Sequence, residues 1–169
     1  MRLAEGVADI DDLDAFLARL DAVAETFDVT VQAFDARYLV GREHLERAVE
    51  LADRALARGE NVARDRGVEI LCYAAGRRQI ADALELGVSE GRVPTVILVD
   101  GDEGTAVDDR EADAADAVAD ALESASTLGE YDPARVREFF DVGDVELAAA
   151  DGGLPDVVLE RVALLDVEK

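Results

Sequence analysis

The spacing of apolar residues divides the chain into many helices and a few short strands. Leu13, Phe16, Leu17, Leu20, Val23 and Phe27 recur every three or four positions, so one apolar stripe marks a helix over residues 11–27. Residues 29–34 form a short β-branched stretch that reads as a strand. After Gly41, the positions Leu45, Ala48, Val49, Ala52, Ala55 and Leu56 mark a second amphipathic helix, and Gly59 stops it. Residues 69–75 are apolar but too few for periodicity to separate helix from strand. Gly76 breaks that run. Residues 79–86 then read as a helix with Ile80, Ala83 and Leu84 turned inward, and Gly87 follows it. Pro94 precedes the run Thr95-Val96-Ile97-Leu98-Val99, the clearest buried strand of the sequence.

Residues 100–109 read as an acidic, glycine-containing loop, followed by a long amphipathic helix through Ala112, Ala115, Val118, Ala119, Leu122 and Ala125. Asp132-Pro133 is a helix start, with aspartate as N-cap and proline in the first turn. A short helix is expected around residues 145–150, another can begin at Pro155, and Val162–Val167 reads as a closing strand. Strands separated by long helical stretches predict an α+β fold: a small, about three-stranded mixed sheet packed with many helices. The length of 169 residues fits one domain spanning 1–169, and no repeat or boundary interrupts it.

Charge changes this picture more than composition does. Forty acidic residues oppose seventeen basic ones, for a net charge of −23, and Lys169 is the sole lysine. Half the residues are apolar, ample for a core, so the acidity does not imply disorder. The pattern fits a cytoplasm of molar salt, where the Debye length falls to about 3 Å and self-repulsion fades. The source is therefore expected to be a halophile, an archaeon. No apolar run can span a bilayer, and the opening Met1-Arg2-Leu3-Ala4-Glu5 lacks a signal-peptide core, so a soluble cytoplasmic protein with no membrane association is expected.

Catalytic options are few. With one cysteine (Cys72) and one histidine (His44), the chain has no disulfide framework and no structural zinc set. The Asp100–Glu111 stretch has the length of a calcium loop, but Gly104 and Thr105 stand where a ligand and the required glycine belong. Neither a P-loop nor a dinucleotide-binding glycine motif occurs. His44 opens the helix after Gly41, where it can serve as a neutral donor or base, contact an anion, or simply pack. No catalytic residue, cofactor or metal is assigned.

Between Arg37 and Arg78 nine arginines face seven acids, so this segment is +2 while the remainder carries −25. Helix pairs such as Glu43–Arg47 and Glu50–Arg54 account for part of the surplus. Arg64, Arg66, Arg77 and Arg78 lie outside those pairs and suit an anion-binding face. Tyr73 with Arg77 and Arg78 has the chemistry that stacks unpaired bases, or Tyr73 is core and the arginines solvated.

The residues Ala33-Phe-Asp-Ala-Arg37-Tyr-Leu-Val-Gly41-Arg-Glu-His44-Leu and Ala63-Arg-Asp-Arg66-Gly-Val-Glu69-Ile-Leu-Cys-Tyr73-Ala-Ala-Gly76-Arg-Arg-Gln79-Ile80, running on to Gly87-Val, resemble the small accessory subunit of the archaeal KEOPS complex. Its eukaryotic relatives are called the PRPK-binding protein. The resemblance spans about residues 29–99 and, more weakly, 163–167; residues 100–130 lie outside it. It implies a non-enzyme within a complex that transfers threonylcarbamoyl to adenosine 37 of tRNAs reading ANN codons. Such a subunit binds a kinase-like ATPase directly, meets the catalytic subunit only through that kinase, and recruits tRNA by its single-stranded 3′ CCA end. Carried over to this chain, the RNA-facing residues are Arg64, Arg66, Tyr73, Arg77, Arg78 and Gln79, with His44 as a further contact. The kinase-facing surface falls around residues 155–165, with Val157, Val158 and Val162. The competing expectation is a small-ligand-binding regulatory α+β domain.

Overall fold

The computed structural model describes residues 1–101 and 107–168. Two compact units make up the chain, one from Met1–Ala36 with Gly87–Thr127, the other from Arg37–Leu86 with Leu128–Lys169. The class is α+β, with eight α-helices and one four-stranded sheet among the described residues.

The first unit holds the sheet. Strands β1 (Arg2–Ile10), β2 (Thr30–Asp35), β3 (Gly91–Asp100) and β4 (Glu123–Ser124) lie in the order β2-β3-β1-β4, every neighbouring pair antiparallel. The sheet is thus antiparallel with four strands, where a mixed sheet of about three was expected. β1 pairs with β3 along its full length, Arg2 opposite Val99 and Ile10 opposite Gly91. Its buried face reads Ala4, Gly6, Ala8 and Ile10, and the first three are small residues that carry almost no strand signal, so periodicity did not reveal it. Gly6 is required by β4: a Cβ there would lie 2.4 Å from the Glu123 carbonyl oxygen.

Helix α1 (Leu13–Phe27) starts at Asp12, whose carboxylate accepts from the Ala15 N–H at 3.2 Å. With helix α5 (Val107–Ala119) it covers one face of the sheet, where Leu20, Ala114 and Val118 meet Ala4, Ala33, Ile97 and Val99. α5 ends earlier than its apolar pattern suggests, because residues 123–124 leave the helix to pair with Gly6 and Val7 of β1. The acidic loop expected over 100–109 falls largely on residues 102–106, outside the described residues.

The second unit is helical. It contains α2 (Arg42–Arg58), α3 (Arg66–Ala75), α4 (Ile80–Ala83, continued by a 3₁₀ turn through Leu86), α6 (Pro133–Phe139), α7 (Asp144–Ala149) and α8 (Leu154–Glu168). Residues 69–75 are therefore helical, and Asp65 and Asp132 cap α3 and α6 through the N–H groups of Val68 and Arg135. Two expectations are corrected. Ile80 and Leu84 point outward, leaving Ala83 and Leu86 buried. The closing strand at 162–167 is the second half of α8. Its β-branched residues resemble a strand locally, but the buried positions Leu154, Val157, Val158, Val162 and Leu165 recur at helical spacing. Among the described residues no helix is long and apolar enough to cross a membrane.

Candidate functional site

The turn between α2 and α3 is fixed from within. Glu69, fully buried on α3, accepts the N–H groups of Val62 and Ala63 at 3.0 Å each. This ties down residues 60–65 and leaves Arg64 exposed on the turn. Arg66 faces back instead: its Nε and one terminal nitrogen clamp Asp53 of α2 at 2.7 and 2.9 Å. A bidentate pair of this kind leaves little of the guanidinium for an external anion, so Arg66 is reassigned to joining α2 and α3.

α3 ends at Gly76 in the left-handed conformation (φ 62°), its N–H returning to the carbonyls of Cys72 and Tyr73. A Cβ at Gly76 would also come within 3.2 Å of the Arg161 carbonyl of α8. The reversal directs Arg77 into a cleft of about 730 Å³ lined by Tyr38, α4 and α6. There Arg77 donates to the Phe139 carbonyl, and its guanidinium carbon sits 4.6 Å from the centre of the Phe139 ring. Phe139 meets Tyr38 edge-on, with centroids 5.6 Å apart, and Arg135 lies 5.7 Å over the Tyr38 ring. The Tyr38 hydroxyl donates to Glu85 at 3.0 Å. Burial, with Glu85 adding to it and Arg135 opposing, raises the pKa of that hydroxyl. An aromatic pair flanked by two guanidiniums forms one wall of the cleft, a surface suited to a flat ligand. Arg78 and Gln79 stand exposed next to Arg77 in the chain.

Three other expectations change once side chains are placed. Tyr73 is wholly buried and its hydroxyl donates to Asp166 of α8 at 3.1 Å. Burial first, and Asp166 second, push its pKa upward, so Tyr73 is a neutral core donor with no face free to stack on a base. His44 is buried between α2 and α3, its Nδ1 accepting from the Val40 N–H at 3.3 Å and its Nε2 lying 2.7 Å from the Ala74 carbonyl. Those partners place the proton on Nε2, and burial lowers the pKa to about 4. Of the roles open to His44 in the sequence, packing is the one its surroundings allow. Val157, Val158 and Val162 are also core, at most 1% exposed. The apolar residues α8 does expose are Leu164 and Val167, 37% and 78% accessible.

Arg161 of α8 ties the end of α6 to α7. Its guanidinium donates to the carbonyls of Phe140 and Asp141 at 3.1 Å each and clamps Glu146 at 2.6 and 2.7 Å. The clamp lowers the Glu146 pKa and raises that of Arg161. Arg161→Ala is expected to cost about 2 kcal/mol, since it removes charge-assisted bonds and leaves the two carbonyls at the end of α6 without this donor. Arg161→Lys, which lacks the fork, should recover less than half of that. Urea unfolding of both variants checks the ordering, and equal stability of Ala and wild type would refute it.

The arginine surplus now divides cleanly. Arg42 pairs with Glu46, Arg47 and Arg54 both with Glu50, and Arg66 with Asp53; Arg47 thus turns to Glu50 and away from Glu43. Among the described residues Arg58, Arg64 and Arg78 form no ion pair. The family model described as kinase binding protein CGI-121 matches residues 7–166. The chain belongs to the CGI-121 family. No curated protein matches it. CGI-121 members are described as kinase-binding, and within this one both units are covered by the match. The cleft itself escaped the sequence reading, because Tyr38, Arg77 and Arg135 to Phe139 come from three separated segments. The one available signal was Phe139-Phe140, an adjacent pair in a chain with five phenylalanines and no tryptophan.

Proposed function

We propose that this CGI-121 protein is a non-catalytic subunit of the KEOPS complex, docking on the kinase-like ATPase and recruiting tRNA through its 3′ CCA end. It meets the catalytic subunit only through that kinase and works in a salt-rich archaeal cytoplasm. The kinase half of the reading follows the family description. Because Val157, Val158 and Val162 are buried, the docking face is assigned to the outward residues of α8, Leu164 and Val167, with the loss of about 1–2 kcal/mol of binding expected for each truncation in a well-packed interface.

The observation that carries the RNA half is Arg77, seated over Phe139 in a cleft large enough for a nucleotide and flanked in sequence by unpaired Arg78. Arg64, exposed on the turn at the opposite end of α3, supplies a more distant phosphate contact; Tyr73, Arg66 and His44 join the helices that carry these residues. Stacking suits this setting, because phosphate contacts lose affinity steeply with salt whereas base–aromatic contacts do not depend on counterion release.

Binding of purified protein to matched tRNAs with and without the terminal CCA, in about 2 M KCl, tests the proposal. Removing CCA is expected to weaken binding by about tenfold or more, the value of one lost stacking contact. Arg77→Ala with Arg78→Ala should reproduce that loss on intact tRNA and leave kinase pairing unchanged. Equal binding of the two tRNAs would overturn the recruitment role. Failure to bind either would leave kinase docking alone, or the small-ligand alternative.

A further inference from the structure

The cleft around Arg77 contains more negative than positive side chains, which a general phosphate-binding groove would avoid. Its two guanidiniums, Arg77 and Arg135, lie over Phe139 and Tyr38. Asp132 is already engaged, as N-cap of α6 through the Arg135 N–H at 3.3 Å and in an ion pair with Arg135 at 3.6 Å. Glu85 uses one carboxylate oxygen to accept from Tyr38, and together with Asp82 it lines the α4 side of the cleft, exposed to solvent. Neither Asp82 nor Glu85 is in an ion pair among the described residues. The cleft therefore combines cationic, flat surfaces with acceptor-only carboxylates.

A strand of nucleic acid passing through would place a phosphate on each side of every ribose, one of them against carboxylates. Like charges in contact are penalised even where salt has reduced the Debye length to about 3 Å. Only the last nucleoside of an RNA has a phosphate on its 5′ side and two neutral hydroxyl donors on the other. A vicinal diol matches a carboxylate well: two O–H groups donate to two charged oxygens, the same chemistry by which acidic residues hold the ribose of dinucleotides.

We infer that the cleft takes the terminal nucleoside of an RNA with its 2′,3′-diol free, and that Asp82 and Glu85 reject a 3′ end that continues or carries a phosphate. This rests on the RNA-end reading above and adds a selectivity to it. The terminal base lies along the Arg77–Phe139 and Arg135–Tyr38 wall, and its 5′ phosphate meets the guanidiniums. The consequence is a reader of completed, unesterified 3′ ends.

The test uses the full chain and one fluorescent single-stranded RNA ending in CCA, prepared with a free 2′,3′-diol, with a 3′-phosphate, and with 2′,3′-dideoxyadenosine last, alongside an RNA lacking CCA. The diol form is expected to bind best, the dideoxy form about fivefold more weakly and the phosphate form more weakly by about tenfold or more. Asp82→Asn with Glu85→Gln keeps shape and removes charge at two exposed positions. In that variant the ratio between phosphate and diol forms should fall to within about threefold; the ratio cancels any general gain in RNA affinity from the lost charges. Equal binding of phosphate and diol forms by the wild type overturns the inference, and so does an unchanged ratio in the variant. Those results are separate from failure of the underlying reading, which would appear as equal binding with and without CCA. No binding to any of the four RNAs would overturn both.

Discussion

Lowering the pH from 7 to 4 is expected to remove about 3 kcal/mol of folding stability through His44 alone. In the unfolded chain the imidazole takes up a proton near its ordinary value of 6.5, whereas in the fold burial holds its pKa at about 4. Between those values the unfolded state binds more protons, so stability rises with pH across the window and is lost as the pH falls through it. Each unit of difference corresponds to about 1.4 kcal/mol, and below pH 4 the loss levels off because both states are protonated. The bond from Nε2 to the Ala74 carbonyl favours the charged ring but does not outweigh burial. Its two nitrogens face the Val40 N–H and the Ala74 carbonyl, and a protonated Nδ1 would point a donor at another donor. Carboxylates titrate in the lower part of this range, so the comparison is with His44→Gln, which keeps a donor and an acceptor without titrating. Urea midpoints of the two proteins should diverge below pH 6.5, the wild type losing more. Because the chain has one histidine, its NMR signals give a second measure: no titration near pH 6.5, and a shift only near 4. A histidine that titrates at 6.5 in the folded protein would refute the assignment.

His44 also marks where sequence reading stops. Its helix was legible from Leu45, Ala48, Ala52 and Ala55, since apolar spacing reports directly on a one-sided element. What the ring touches was not, because Ala74 lies thirty positions away and contributes a backbone carbonyl, which has no residue-type signal. The same division runs through the fold. Helices α1, α2 and α6 and strand β3 follow from periodicity and capping residues such as Gly59 and Asp132. Strand β1 did not, since Ala4, Gly6 and Ala8 fill its buried face with residues too small to stand out. α8 misled for the opposite reason: a run of valines and leucines long enough to look like a buried strand was half of a helix whose start at Leu154 and Pro155 was already visible. At the site, arginine surplus pointed to the right segment, but charge alone could not separate Arg66, consumed by Asp53, from Arg78, which has no such partner. Tyr73 shows the limit most clearly, because an aromatic beside two arginines has the composition of a stacking site, and its burial depends on Asp166 at the other end of the chain.

Raising KCl from 0.1 to 2 M is expected to increase the melting temperature by about 6–12 °C. The unit built from residues 1–36 and 87–127 carries twenty acids and four arginines, a net charge of −16, and the other unit carries −7. Two like charges about 10 Å apart in water repel by about 0.4 kcal/mol unscreened, and by about a third of that at 0.1 M salt. With sixteen surplus charges on one unit, about twenty such pairs sum to about 3 kcal/mol, which at 1 M salt and above has almost vanished. For a chain of this length each kcal/mol is worth about 2–4 °C. The repulsion is concentrated where acids line exposed helix faces, as at Asp113, Asp116 and Asp120 on and just after α5. Replacing those three by Asn should raise the low-salt melting temperature and flatten its rise with KCl, while leaving the value in 2 M KCl little changed. A melting temperature that stays level or falls with KCl would show that the acidity does not govern stability. The arginine-rich segment 37–78, at +2, has no surplus acid to screen, so the gain from salt is expected to come from the acidic surface outside it.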